Sequence, residues 1–238
     1  MRIALLTLVA AIVCGCATSA PPRVLSAQAD AITPTPKTVV ETYGLFDSMF
    51  AIIGGDTPAK SAQLMEDQTS PDHRRQGIFG LVKYDFGQRE PYTRRYRQIA
   101  QQDTDFTVRA AAVRALNWAR DRSAVPVFIA SLSDSNELIR WEAAKALSNV
   151  PDPSAVEPLT RALNNPGESK NVRIAAADAL RHYHNLTVAR TLVNTLDGKD
   201  FGVAWQAHES LHAMTGSDLQ YNASAWLIFL TSDKNPLG

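Results

Sequence analysis

The sequence predicts an all-α fold, an α-solenoid of about five helical pairs with N- and C-terminal capping helices. A nine-residue pattern carries that reading. VRAAAVRAL at Val108 returns as IRWEAAKAL at Ile139, VRIAAADAL at Val172 and a worn VAWQAHESL at Val203, spacings of 31, 33 and 31 residues. A weaker copy, HRRQGIFGL, starts at His73, 35 residues before the first clear one. The intervening segments repeat as well, since SAVPVFIASL from Ser123 is echoed by SAVEPLTRAL from Ser154. No segment alternates with period two for long enough to make a strand. Self-similarity at this period marks stacked units that bury their apolar faces only against their neighbours.

Taken in order, the chain opens on Arg2 and an apolar run from Ile3 to Val13, followed by Cys14-Gly15-Cys16. The run is shorter than the roughly 20 residues a spanning helix needs, so 1–15 reads as a signal peptide. Its end resembles a bacterial lipobox, Val13-Cys14-Gly15-Cys16, which makes Cys16 the expected lipid-attachment site. An ordinary secretory signal cut after Gly15 or Ala17 is the alternative. Ala17 after the cysteine, rather than Asp, resembles lipoproteins sent to the outer membrane and facing the periplasm. Both cysteines of the chain lie in this stretch. After processing at Cys16 no thiol pair remains to be crosslinked, and the fold must stand on packing.

Residues 16–37 are rich in Pro, Ala, Ser and Thr and read as a tether. The apolar spacing of Val39, Val40, Leu45, Phe46, Met49, Phe50, Ile52 and Ile53 predicts a helix ended by Gly54-Gly55. Within 38–57 it would cap the start of the stack, with membrane contact or dimerisation as the alternative. The solenoid is expected over 58–232. Its helices run from Pro58, from Pro71 and near Tyr92–Gln101, then alternate through the clear copies. Asn165-Pro166-Gly167 supplies the extra residues of the 33-residue spacing. Asn222–Leu230, with Trp226 and Phe229, makes a closing helix, and 233–238 is a tail.

At 238 residues with 45% hydrophobic side chains, the chain can fill one continuous core. Its 24 basic and 24 acidic residues leave no net charge. That balance argues against sequence-blind phosphate binding, so no nucleic-acid partner is expected. The basic runs His73-Arg74-Arg75 and Arg94-Arg95-Tyr96-Arg97 read as solvated helix faces.

The recurring hydrophobe–Arg pairs Val108-Arg109, Ile139-Arg140 and Val172-Arg173, with Ala and Leu following at helical spacing, resemble the HEAT family of helical repeats. The resemblance covers roughly residues 70–215. It implies a ladder in which an acid in the turn bonds the Arg of the next helix: Asp103 with Arg109, Asp134 with Arg140. Gly167 precedes Arg173 at that spacing, so an interruption is expected there, and Ala204 replaces the Arg in the last copy. The resemblance also implies that the second helices line a concave surface offered to other proteins.

On each second helix the buried stripe is expected at Val108, Ala112, Ala115, Leu116 and Ala119. Three rows then point away from it. They are Ala110, Trp141, Ile174 and Trp205; Arg114, Lys145, Asp178 and Glu209; and Asn117, Ser148, Arg181 and His212. Outward Trp141 and Trp205 beside charge that runs from basic to acidic are residue types of interface hot spots. The alternative is that each Trp packs against the neighbouring repeat. The candidate protein-binding face is therefore Trp141, Trp205, Arg114, Lys145, Asp178, Arg181, Glu209 and His212.

One motif looks catalytic: His208-Glu209-Ser210-Leu211-His212 matches HExxH, in which two His share a zinc and Glu activates its water. The rows turn it toward the exposed side. His182, His184 or Asp178 are the conceivable third ligands. The repeat register opposes it, because these positions are Val113, Ala144 and Ala177 or Asn117, Ser148 and Arg181 in the other copies. No enzyme activity, metal or cofactor is expected. The expected function is a lipid-anchored envelope scaffold or adaptor that binds another envelope protein or peptide. A zinc hydrolase and a purely structural envelope lipoprotein are the alternatives.

Overall fold

In the computed structural model, residues 57–237 are described, and they form eleven α-helices with no strand. The expectations for 1–15, 16–37 and the helix over 38–53, Cys16 included, lie outside the described residues. Five helical pairs follow in order: α1 (Pro58–Met65) with α2 (Pro71–Val82), α3 (Tyr92–Gln102) with α4 (Phe106–Trp118), α5 (Val125–Ser131) with α6 (Glu137–Asn149), α7 (Val156–Asn164) with α8 (Lys170–Leu180), and α9 (Leu186–Val193) with α10 (Phe201–Thr215). A last helix, α11 (Ala223–Leu230), packs on α9. The α-solenoid read from the repeat is the architecture found. No described helix is long and apolar enough to cross a membrane.

Local chemistry sets the helix starts. Thr57, Ser70, Asp105, Asn136, Ser169, Asn185 and Asn222 each cap a helix by accepting a backbone amide of its first turn. The echoed segments begin one turn later than their sequence similarity. Arg122–Ala124 and Pro153–Ala155 form 3₁₀ turns, and the α-helices start at Val125 and Val156. Gly216 ends α10 at φ +70°, the left-handed conformation that glycine adopts without a Cβ clash.

Packing follows the nine-residue pattern. Val108, Ala112, Ala115 and Leu116 are fully buried, as are their counterparts Ile139, Ala143, Ala146 and Leu147. Ala119 is half-buried, at the end of α4. One continuous apolar core runs from Ala59 to Leu230. Each second helix, α2, α4, α6, α8 and α10, touches the next.

The ladder exists, but its rungs join different residues from those the family resemblance implied. Arg109 donates Nη1 to the backbone carbonyl of Asp103 at 2.9 Å, while its Nε and Nη2 reach the carboxylate of Asp134 in the following repeat. Arg140 does the same, with the carbonyl of Asp134 behind it and the carboxylate of Glu168 ahead. The carboxylate of Asp103 belongs to Arg74 of the preceding repeat, at 2.8 and 2.9 Å. Each rung therefore ties two repeats together. Beside Gly167, Glu168, one residue on and one methylene longer, receives Arg140 in place of the missing Asp, and the interruption expected for Arg173 does occur. The ladder stops at Arg173, which donates to the Leu163 carbonyl.

The basic runs are solvated faces only in part: His73 is exposed and Arg75 and Arg94 are partly so. Arg74 is buried, Arg95 pairs with Glu66 at 2.6 Å, and Arg97 pairs with Glu90 and Asp121. A guanidinium carries enough donors to satisfy several repeats' acceptors at once, which is why it serves where a helix pair must be fixed to its neighbour.

Candidate functional site

The second-helix face presents its residues by register, so each row has one environment repeated along the stack. The row Ala110, Trp141, Ile174 and Trp205 turns toward the next repeat rather than outward. Ala110 is buried, Trp141 and Ile174 pack against the core, and the backbone of α10 at Gly202 abuts the Ile174 side chain. Trp141 also lies under Lys145, whose Nζ sits 3.9 Å from the ring centroid. Trp205 alone in this row is well exposed, because among the described residues α10 is the last second helix and no helix stacks beyond it.

The charged row is largely committed to intramolecular bonds. Glu142, which is fully buried, receives Arg114 Nε at 2.9 Å and Lys145 Nζ at 3.2 Å. Asp178 accepts Ser148 Oγ at 2.8 Å and Gln206 Nε2 at 3.3 Å, and Arg181 pairs with it at 3.1 Å. These contacts link α4 to α6 and α6 through α8 to α10, a second set of rungs parallel to the first. His182 lies 3.4 Å from Ser148 Oγ, and burial, with Arg181 beside it, holds its pKa below the usual value. Glu209 and His212 are exposed on the final turn-and-a-half of α10.

The HExxH residues are arranged for other work. His208 is buried, not exposed, because its row faces forward and the segment after α10 folds over it. The Tyr221 ring lies tilted against it at 5.2 Å between centroids, Asp218 Oδ1 lies 2.9 Å from Nε2, and Glu209 Oε1 lies 3.4 Å from Nδ1. His212 turns its Nδ1 to the Ser217 carbonyl at 3.1 Å. Among the described residues no group of three His, Cys, Asp or Glu side chains is placed to hold a metal.

Open surface with binding character lies nearer the start of the stack. A groove of about 650 Å³ runs between α1, α2 and α4, lined by Ser61, Leu64, Asp72, Arg75, Gln76, Phe79, Gly80, Lys83, Arg114 and Trp118. A second of about 290 Å³ adjoins it between α4 and α6, lined by Arg114, Asn117, Trp118, Arg120, Glu142, Lys145 and Asn149. Arg114 and Trp118 form their common wall. The Trp118 side chain is 61% exposed, and the Arg114 guanidinium lies 5.9 Å from the Phe79 ring. Five cations line the two grooves against two carboxylates, Asp72 and Glu142. Of the predicted face, only Arg114 and Lys145 belong here. Trp118, Phe79 and Glu142 were missed. Trp118 was legible in principle, as an aromatic immediately after the outward Asn117, two residues past the repeat's last core leucine.

Residues 93–169 match the family described as HEAT repeats. Among solved structures, an engineered protein is similar over 72% of this chain and 89% of its own, at 19% identity and a TM-score of 0.49. No curated protein matches the chain.

Proposed function

We propose that the chain is a lipid-anchored scaffold of the bacterial cell envelope that binds another protein along its second-helix face, centred on Trp118. The carrying observation is that indole, held in the open on the shared wall of two grooves. Trp and Arg are both residue types enriched at interface hot spots. The neighbouring core residues already have partners, so Trp118 gains nothing from exposure unless something covers it. The cationic lining selects an extended segment carrying acidic and apolar side chains. The match to HEAT repeats supports a protein-interaction role. The address rests on the Cys16 pattern, and Ala17 supports an outer-membrane site facing the periplasm.

Photo-crosslinking in cells from position 118, followed by capture, tests the binding reading. Trp118→Ala is expected to weaken capture by about 30-fold, the equivalent of about 2 kcal/mol for a hot-spot aromatic. Trp141→Ala, whose ring is engaged with Lys145 and the core, leaves binding at this groove in place. Capture that survives Trp118→Ala unchanged removes this surface from consideration. Cys16→Ser is expected to release the chain into the soluble fraction. If it stays on the membrane, the anchor lies elsewhere in 1–56.

A further inference from the structure

One residue of the second groove is held in an unfavourable backbone conformation. Arg120 sits at φ +49°, in the left-handed region that glycine enters without a Cβ clash. It closes α4. Its amide bonds the Asn117 carbonyl at 3.0 Å, and the Asp121 amide bonds the Leu116 carbonyl at 3.1 Å. In that helix-ending turn glycine is the usual residue, and Gly216 takes the left-handed position after α10. The repeat itself does not demand such a turn. Thirty-one residues on, the same position is Pro151, and the chain leaves α6 through Val150 at φ −129° with no left-handed residue. The Arg120 side chain contributes no bond to the fold either. It is exposed, and among the described residues it makes no ion pair and no side-chain hydrogen bond.

We infer that Arg120 sets the specificity of the grooves, receiving one acidic side chain of the bound segment beside the apolar side chain that covers Trp118. The inference rests on the grooves being a protein-binding face. The other two cations of the second groove, Arg114 and Lys145, are both bonded to Glu142. Either would have to give up an internal partner before taking a new one. Arg120 has none to give up among the described residues, so its charge is the one left for a ligand. Its planar guanidinium can grip a carboxylate through two parallel bonds, a geometry an ammonium lacks. Arg120 lies two residues from Trp118, on the same groove wall. The acid is therefore expected within two positions of the segment's apolar anchor.

A random peptide library displayed on phage is the probe, selected against the full chain in detergent and against single variants of it. The wild-type chain should enrich sequences with an acidic residue within two positions of a large apolar one. Arg120→Asn tolerates the left-handed turn and removes the charge. It should keep the apolar position and lose the acidic one, and should bind the wild-type peptides about tenfold more weakly. Arg120→Lys should retain the acid. Arg120→Gly should lose it while the unfolding midpoint rises by about 2–4 °C, because the turn is relieved of its Cβ. A stability gain joined to a binding loss is what an arginine kept for a ligand predicts. An apolar consensus without an acid overturns the role of Arg120 and leaves the grooves standing. So does an acidic position that Arg120→Asn still enriches, or a midpoint that falls in Arg120→Gly. A library that yields no binder, or a consensus that Trp118→Ala leaves unchanged, overturns the groove reading along with it.

Discussion

Arg74→Ala is expected to cost the protein about 3–5 kcal/mol, the range for removing one partner of a buried ion pair. Arg74 and Asp103 are 8% and 9% exposed, and three bonds depend on the guanidinium, two to the Asp103 carboxylate and one to the Asp67 carbonyl at 2.9 Å. Without it a carboxylate stays buried between the first two helical pairs with its main counter-charge gone. At roughly 2–4 °C per kcal/mol for a chain of this size, the melting point should fall by about 10 °C. Arg74→Lys should recover little, because one ammonium cannot reproduce the fork. Arg161→Ala is the control. Its pair with Glu157 is 70% and 80% exposed, and its loss should be nearly silent.

The same ladder sets an acid limit. Burial disfavours the charged forms of Asp134 and Glu168, but the bonds from Arg109 and Arg140, with the Asn136 and Ser169 amides, outweigh it and hold both carboxyls below their usual range. A depressed carboxyl contributes stability that is fully present above its unfolded pKa, about 4, and is lost as pH falls through the folded value. Denaturant midpoints should therefore be level near neutrality and fall below about pH 4.

Gly77→Val should destabilise by about 3 kcal/mol, the upper part of the usual range for overpacking. Gly77 lies where α2 crosses α1. A Cβ there would stand 2.5 Å from the Ser61 carbonyl oxygen and 2.6 Å from the Met65 Cα, both backbone atoms that no rotamer change can move. Gly77→Ala separates the two effects at issue. Helix propensity alone favours Ala over Gly by about 1 kcal/mol, whereas the crossing opposes any side chain. A loss of stability, with proteolysis beginning near α1, is the expected outcome. A gain would mean that the two helices do not approach so closely.

The repeat made the architecture legible because burial in a solenoid is the same problem solved at each period. Val108, Leu116 and their counterparts needed no tertiary information to be placed. Arg74 was equally legible, since it is the second residue of the weak copy HRRQGIFGL, the ladder position; reading it within a basic run hid that. The rungs themselves were not legible. Whether an Asp meets the Arg six residues after it or the one in the repeat before depends on how far one pair is displaced from the next, which spacing does not state. The outward rows failed for a related reason. Helical angle divides a helix into faces, but only stacking decides which of them the next repeat covers. Trp141 and Trp205 share one angle, yet the first packs under Lys145 and the second stands at the end of the stack. His208 was misplaced although its register counterparts Val113, Ala144 and Ala177 are fully buried; what no period could supply is the segment that covers its ring, with Tyr221 and Asp218.

The four tryptophans report on four different places: Trp118 on the grooves, Trp141 between repeats, Trp205 at the tail, and Trp226 buried with its Nε1 bonded to the Gln220 carbonyl at 2.9 Å. Their indole N–H resonances, assigned by single substitutions, can be followed while the segment captured from position 118 is titrated into the chain. Binding at the grooves predicts a saturating shift of the Trp118 signal, abolished by acidic-to-neutral changes in the segment, with Trp205 and Trp226 unmoved. A Trp118 resonance that stays fixed while Trp205 moves would place recognition at the other end of the stack and contradict the account.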